Sequence, residues 1–161
     1  MTELRVLFVC LGNICRSPMA EAVFKHICKE NQIKAIIDSC GTANYHVGDS
    51  PDSRTLEVLK DNNIKCDHVG RQLSDADFSN FDYIFGMDKE NISNIKKRCP
   101  KSFKGTVEYF GNYSSSNRSE NIIIVDPYYG NNKDFIKVFE QSIESSIGFL
   151  KSLGHDKIKY N

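Results

Sequence analysis

Apolar positions along this chain follow two rhythms that alternate from one end to the other. Leu4-Arg5-Val6-Leu7-Phe8-Val9 is an almost unbroken apolar run, the pattern of a strand buried on both faces. Pro18 then suits a first helical turn, and Ala20, Val23, Phe24, Ile27 and Cys28 recur at the three-four spacing of a packed helix face. Residues 34–39 read as a second strand, followed by a loop over 40–50. Ser50-Pro51 is expected to open a helix carrying Leu56, Val58 and Leu59, which stops near Asn62-Asn63, where asparagine can take a left-handed cap.

Ser74-Asp75-Ala76-Asp77 predicts the N-cap of a short helix, and residues 81–87 the next strand. Asp88 is placed to cap a helix bearing Ile92 and Ile95 that ends before Pro100. Residues 106–110 form a further strand, and the Ser/Asn-rich stretch 112–121 an exposed loop. Residues 122–125 have the composition of a fifth short strand. Phe135, Val138, Phe139, Ile143, Ile147 and Leu150 give a long closing helix from Asp134 to about Ser152, and the polar tail 154–161 is expected to fray. Strands alternating with helices across short turns imply an α/β fold, a parallel sheet covered on both faces, which binds ligands beyond the carboxyl ends of its strands.

At 161 residues, 40% hydrophobic and 26% charged, the chain fits one domain, 1–161, with a real core and no second one. The formal net charge is zero and no basic block stands out, which argues against nucleic acid and anionic membranes as partners. No run approaches a membrane span, and Met1-Thr2-Glu3-Leu4-Arg5 lacks the apolar core of a signal peptide, so a cytoplasmic location is expected.

The chemistry gathers at the junction of the first strand and first helix, Cys10-Leu11-Gly12-Asn13-Ile14-Cys15-Arg16-Ser17. A loop between a strand end and a helix N-terminus turns its N–H groups toward whatever sits above the strand, which makes an anion site. Cys10, the last strand residue, faces that N-terminus and an arginine, both of which favour thiolate, so it is placed to be a nucleophile. Arg16 carries a planar fork that can grip two oxygens of one phosphate. Ser17 can donate its hydroxyl to the sulfur, and Gly12 and Asn13 tolerate left-handed backbone. The stretch reads as a phosphate cradle with a nucleophile at its floor.

The 6 cysteines, at 10, 15, 28, 40, 66 and 99, show no paired two-residue gaps, and the 4 histidines, at 26, 46, 68 and 155, are scattered; neither a metal nor a cofactor is expected. Cys28 faces inward on its helix, and Cys40 and Cys66 read as core packing beside it.

The run Cys-Leu-Gly-Asn-Ile-Cys-Arg-Ser-Pro-Met-Ala-Glu from Cys10 to Glu21, together with Asp126-Pro127-Tyr128-Tyr129-Gly130, resembles the low-molecular-weight protein tyrosine phosphatases from Val6 to about Leu150. The resemblance implies a four-stranded parallel sheet, with 122–125 as an extended lead-in to the acidic loop rather than a strand. It implies a Cys10–Cys15 pair that forms a reversible disulfide protecting the nucleophile. It puts Tyr45, Tyr128 and Tyr129 on the walls of a substrate pocket with Leu11 and Ile14, where bacterial relatives acting on phosphoarginine carry threonine in place of Ile14. Asn13 would be held by Ser39 and His68, with Glu21 near that histidine and Asp88 orienting the site or only capping its helix. Tyr128 and Tyr129 would themselves be phosphorylation sites.

Asp126 is the candidate acid. Expelling a phenoxide needs a proton from a group within reach, and Pro127 presents this carboxyl on a stiff turn; the same carboxylate can then accept a proton from attacking water. The expected enzyme is a phosphotyrosine phosphatase working through a phosphocysteine, with Cys10, Arg16 and Asp126 catalytic and Leu11, Gly12, Asn13, Ile14, Cys15, Ser17, Tyr45, Tyr128 and Tyr129 binding substrate. Expected partners are tyrosine-phosphorylated proteins and inorganic phosphate or oxyanion inhibitors, met as a monomer. Two rivals use the same loop. An arsenate reductase would need relay cysteines, which Cys66 and Cys99 are not spaced to be. A phosphotyrosine-binding or redox-sensing module would need no acid.

Overall fold

The computed structural model describes residues 3–114 and 122–160. Its elements in chain order are β1 (Leu4–Cys10), α1 (Arg16–Glu30), β2 (Ala35–Gly41), α2 (Ser53–Asp61), α3 (Asp77–Asn80), β3 (Tyr83–Gly86), α4 (Lys89–Arg98), β4 (Thr106–Tyr109), a 3-10 turn (Phe110–Tyr113) and α5 (Asn132–Ser152). The strands form a single 4-stranded sheet in the order β2-β1-β3-β4, every pairing parallel, which is the α/β architecture the patterning implies. The chain leaves β1 to one side for β2 and returns to the other for β3, so a crevice opens where the order reverses, at the carboxyl end of β1. Cys10 ends that strand.

Two apolar layers sandwich the sheet. Val6 and Phe8 of β1 face one side, where Val23, Phe24 and Ile27 of α1 meet Val138, Phe149 and Leu150 of α5. Leu7 and Val9 face the other, against Phe78 of α3 and Ile95 of α4. The alternation in β1 thus serves two cores at once, which is why its run reads as continuously apolar. Phe85 is the hub of the larger core: its ring lies 5.0–6.1 Å from neighbouring rings, with Phe149 edge-on at 5.0 Å and Phe110 stacked at 5.6 Å.

Several boundaries differ from the patterning. The first helix starts at Arg16, which puts Pro18 in its first turn as expected but moves the arginine out of the loop and into the helix. The cap of α2 is Asp52, whose carboxylate accepts from the Arg54 N–H, and not Ser50-Pro51. The short helix α3 has no side-chain cap from Ser74; instead the Ser74 N–H donates to the Asp77 carboxylate at 2.8 Å. Asp88 does cap α4, in a reciprocal box with Asn91, and Asn63 sits at φ 58. Residues 123–127 form no strand: the Ile124 N–H donates to Met87 O at 2.9 Å, leaving an extended segment against the end of β3. Most of the predicted loop 112–121 lies outside the described residues, while Asn112 and Tyr113 belong to the 3-10 turn.

The tail expected to fray carries tethers. Asn31 Nδ2 donates to Lys159 O, Lys159 N–H donates back to Asn31 Oδ1, and Ile158 and Tyr160 pack on the core. No helix among the described residues is long and apolar enough to cross a membrane.

Replacing Phe85 with alanine removes the shared ring from a fully buried site, and we expect a loss of roughly 3–5 kcal/mol in the unfolding free energy. Urea titration reads the loss, and a change below about 1 kcal/mol would deny Phe85 its central place.

Candidate active site

The loop after β1 is shaped by one residue in left-handed backbone, Asn13 at φ 58. Gly12, expected to share that conformation, does not adopt it; what it supplies is room, since a Cβ there would stand 3.0 Å from the His46 ring. Turning at Asn13 points its N–H at Cys10 Sγ, 3.3 Å away, and Ser17 Oγ lies 3.0 Å from the same sulfur. Cys10 is 3% exposed at the floor of the loop.

Beneath the loop its polar underside is satisfied. Asn13 Nδ2 donates to Ser17 Oγ at 2.7 Å and Ser39 Oγ at 3.0 Å, while Asn13 Oδ1 accepts from the Arg71 N–H at 3.0 Å and meets His68 Nε2 at 2.6 Å. Ser39 in turn donates to Glu21 Oε1, which also faces His68 Nδ1 at 3.0 Å. Burial opposes ionisation of Glu21, but hydrogen bonds from His68, Lys25 and Ser39 outweigh it and leave the carboxyl below its usual range. Glu21, Asp38 and His68 bring one ligand-type atom each within 4.8 Å of one another. Lys25 on Glu21 and Arg71 on Asp38 already occupy those carboxylates, so the group is an ion-pair network under the loop.

Arg16 is 2% exposed, and its Nη1 donates to Asp88 Oδ2 at 2.6 Å and to Ile124 O at 3.0 Å. Burial works against its charge, and the facing Cys10 and Asp88 more than offset this, so the guanidinium is held above its ordinary range. Asp88 therefore does both things the sequence left open, one oxygen capping α4 and the other holding Arg16. Across the opening, Asp126 Oδ2 lies 3.8 Å from Arg16 Nη2, and Asp126 Oδ1 accepts from the Tyr128 N–H at 3.1 Å. Gly130 closes this turn, its N–H on Pro127 O at 2.8 Å; a Cβ there would meet Asp134 Oδ2 at 2.0 Å.

These groups share a cleft of about 270 Å³ lined by Cys10, Leu11, Gly12, Ile14, Cys15, Arg16, Tyr45, His46, Asp126, Tyr128 and Tyr129. Asn13 and Ser17 do not line it; their side chains work from below. Tyr45 and Tyr129, at 72% and 95% exposed, stand on the rim rather than on deep walls. A larger open groove of about 1480 Å³ crosses the opposite end of the sheet, past Leu4, Tyr83 and Thr106 at the strands' amino ends. It lacks a cysteine and an anion cradle, so the chemistry belongs to the smaller cleft.

All 6 cysteines are free thiols. Burial pushes Cys28 up to about 12 and holds Cys15 and Cys40 well above the ordinary thiol range, with the Asp52 carboxylate adding to the effect on Cys15. Those three stay protonated at neutral pH.

Two lining or flanking residues were missed by the sequence. His46 lines the cleft with its Nδ1 on Asp49 Oδ2 at 3.1 Å, and its only signal was its place beside Tyr45. Arg54, gripped by Asp52, stacks on Phe135 and reaches the 126–130 turn, a contact no local pattern announces.

A carboxyl held below its unfolded range stabilises the fold above the unfolded pKa and loses that contribution as pH falls through the folded one. Wild-type stability should therefore decline as pH drops below roughly 4.3, the ordinary glutamate value, and Glu21→Gln should flatten part of that decline. Urea unfolding between neutral and acid pH measures it; parallel curves for the two proteins would refute the assignment.

Known proteins resemble this chain over nearly its whole length. The model of a family described as low molecular weight phosphotyrosine protein phosphatase matches residues 5–159. The low molecular weight phosphotyrosine protein phosphatase of Schizosaccharomyces pombe is 50% identical over 154 residues, covering 94% of this chain and 97% of that protein. Among solved structures, a protein tyrosine phosphatase from Entamoeba histolytica, crystallised with Hepes in its active site, superposes with a TM-score of 0.88 at 37% identity, covering 94% of this chain and 97% of that one. A Drosophila arginine phosphatase superposes at 0.89 with 36% identity, covering 96% and 100%. With a family match over nearly its whole length and half its residues shared with a named relative, the chain belongs to the low molecular weight phosphotyrosine protein phosphatases.

Proposed function

We propose that this enzyme hydrolyses phosphotyrosine in proteins, and small aryl phosphates, in two displacements on Cys10. The sulfur attacks phosphorus, the bond to the phenolic oxygen breaks, and Asp126 supplies the proton that oxygen needs. Water then attacks the phosphocysteine, gives its proton to Asp126, and releases inorganic phosphate and the thiolate, which Ser17 and the Asn13 N–H are positioned to stabilise. Arg16 grips the phosphoryl oxygens as charge develops on them. No step calls for a metal or cofactor.

The observation that carries this reading is one cleft that holds a donor-capped sulfur, a buried guanidinium and, 3.8 Å from that guanidinium, a carboxylate on a separate loop. An arsenate reductase would need cysteines to carry a disulfide outward, and a pure phosphotyrosine-binding module would need no acid. Phosphoarginine is the specific rival for the substrate, given the Drosophila relative's name. Ile14, 9% exposed in the cleft, presents an apolar wall suited to a phenyl ring and offers a guanidinium no hydrogen-bond acceptor beyond its backbone. The enzyme would act as a cytoplasmic monomer on tyrosine-phosphorylated proteins, with inorganic phosphate and related oxyanions competing for the loop, and a Cys10–Cys15 disulfide would shield the nucleophile.

Cys10→Ser should bind phosphate yet release none from a phosphotyrosine peptide. Asp126→Ala should slow phenyl phosphate by roughly a hundred-fold or more, the ordinary worth of a general acid. Unchanged turnover by Asp126→Ala would remove the acid assignment, and faster release from a phosphoarginine peptide than from a phosphotyrosine one would reverse the substrate assignment.

A further inference from the structure

We propose that Arg54 is a positioning residue for the acid: it ties the 126–130 turn to the phosphate loop and so fixes where the Asp126 carboxyl stands over Cys10. The inference rests on the reading of Asp126 as general acid.

The first turn of α2 is fastened to the phosphate loop. The Asp52 N–H donates to Ile14 O at 2.8 Å, and Thr55 Oγ1 donates to Cys15 O at 3.3 Å. From that fixed turn Arg54 reaches in the other direction, its Nη2 donating to Tyr128 O at 3.1 Å. The side chain is not free to wander. Asp52 holds it through Nε at 3.0 Å and Nη2 at 2.8 Å, and its guanidinium lies 4.3 Å from the Phe135 ring centre and 5.6 Å from that of Tyr128.

Tyr128 is the residue on which the acid depends, because its N–H donates to Asp126 Oδ1. Its carbonyl is thus held by Arg54 while its amide holds the carboxylate. The bond from Gly130 N–H to Pro127 O shapes the turn internally but does not anchor it to the phosphate loop. Pro127 is buried, but Asp126 is 41% exposed and Tyr129 95%, so packing seats this turn at the proline and leaves the residues on either side of it to be held by hydrogen bonds. Proton transfer demands approach to roughly 2.6–3.2 Å, a tolerance that a loosened turn exceeds. Lysine could not substitute fully, since one ammonium cannot grip Asp52 in a fork, lie flat on Phe135 and still reach the Tyr128 carbonyl.

The test compares two substrates on one preparation of each variant, phenyl phosphate with its poor leaving group and 2,4-dinitrophenyl phosphate with its good one. Their ratio does not depend on how much protein is folded. Arg54→Met keeps the aliphatic stem and should lower kcat/KM for phenyl phosphate roughly ten-fold while changing the dinitrophenyl ester by no more than about two-fold. Arg54→Lys should fall between this variant and wild type. Inhibition by inorganic phosphate should stay within about two-fold in both, because the anion loop is untouched. Equal losses on the two esters, or none on phenyl phosphate, would overturn the positioning role. Asp126→Asn is run alongside: if it too shows no bias toward the good leaving group, the acid reading itself fails, whereas bias there and none in Arg54→Met rejects Arg54 alone.

Discussion

A guanidinium buried to 2% exposure is the constraint on which the rest of this structure depends. A charge taken out of water is tolerable only if the protein returns most of what hydration gave, and Arg16 receives this from three directions. Asp88 arrives from the end of β3, Ile124 O from the extended segment that runs beside it, and Asp126 from the turn beyond. None of these is near Arg16 in the sequence. The parallel sheet brings them together by ending β1 and β3 side by side at the crevice, so the order of the strands is what makes the burial affordable. Asp88 is shared between Arg16 and the capping box of α4, which couples the start of a scaffold helix to the Cys10 cleft.

The loop above Cys10 has a second requirement. Its N–H groups must face an incoming anion without rearranging, so everything on its underside must already be bonded. Asn13 meets this with a left-handed turn and an amide fully engaged by Ser17, Ser39, His68 and the Arg71 backbone. Glu21 and Lys25 extend the network into α1, and Asp38 with Arg71 into β2. The loop is therefore braced by the helix that follows it and by the strand paired beside β1.

How much of this could be read from the residues alone follows the range of the interactions. Strands and long helices were legible because hydrophobic period is local: β1 ends on Cys10, and α5 begins within two residues of Asp134. The junction from Cys10 to Ser17 was legible as strand, turn and helix for the same reason, and the sulfur and guanidinium proposed to act there lie in that one continuous stretch. Helix starts were less so. Ser50-Pro51 looked like an entry, but the carboxylate of Asp52 outcompeted the hydroxyl by accepting the Arg54 N–H and gripping its side chain. Residues 122–125 had strand composition, yet Arg16 claims the Ile124 carbonyl, leaving a bonded edge segment instead of a ladder. Arg54 was invisible because its partner Tyr128 is 74 residues away, and His46 because a histidine in a loop carries no signal until a cleft forms around it.

The two halves of the site are built to different rules, and the proposed chemistry gives a reason. The sulfur and the guanidinium act on a phosphoryl group, where water would weaken every interaction and compete as a nucleophile, so both are buried to 3% or less and fixed by the core. The acid must instead give a proton in one half-reaction and take one in the next, and it has to meet both a bulky leaving group and an entering water. A carboxylate that is 41% exposed on a turn at the rim can do this, but only if the turn is held without being buried. An arginine bonded to a backbone carbonyl from outside the cleft holds it in that way: it restrains Tyr128, leaves the face of Asp126 open to solvent, and keeps its own charge balanced on Asp52.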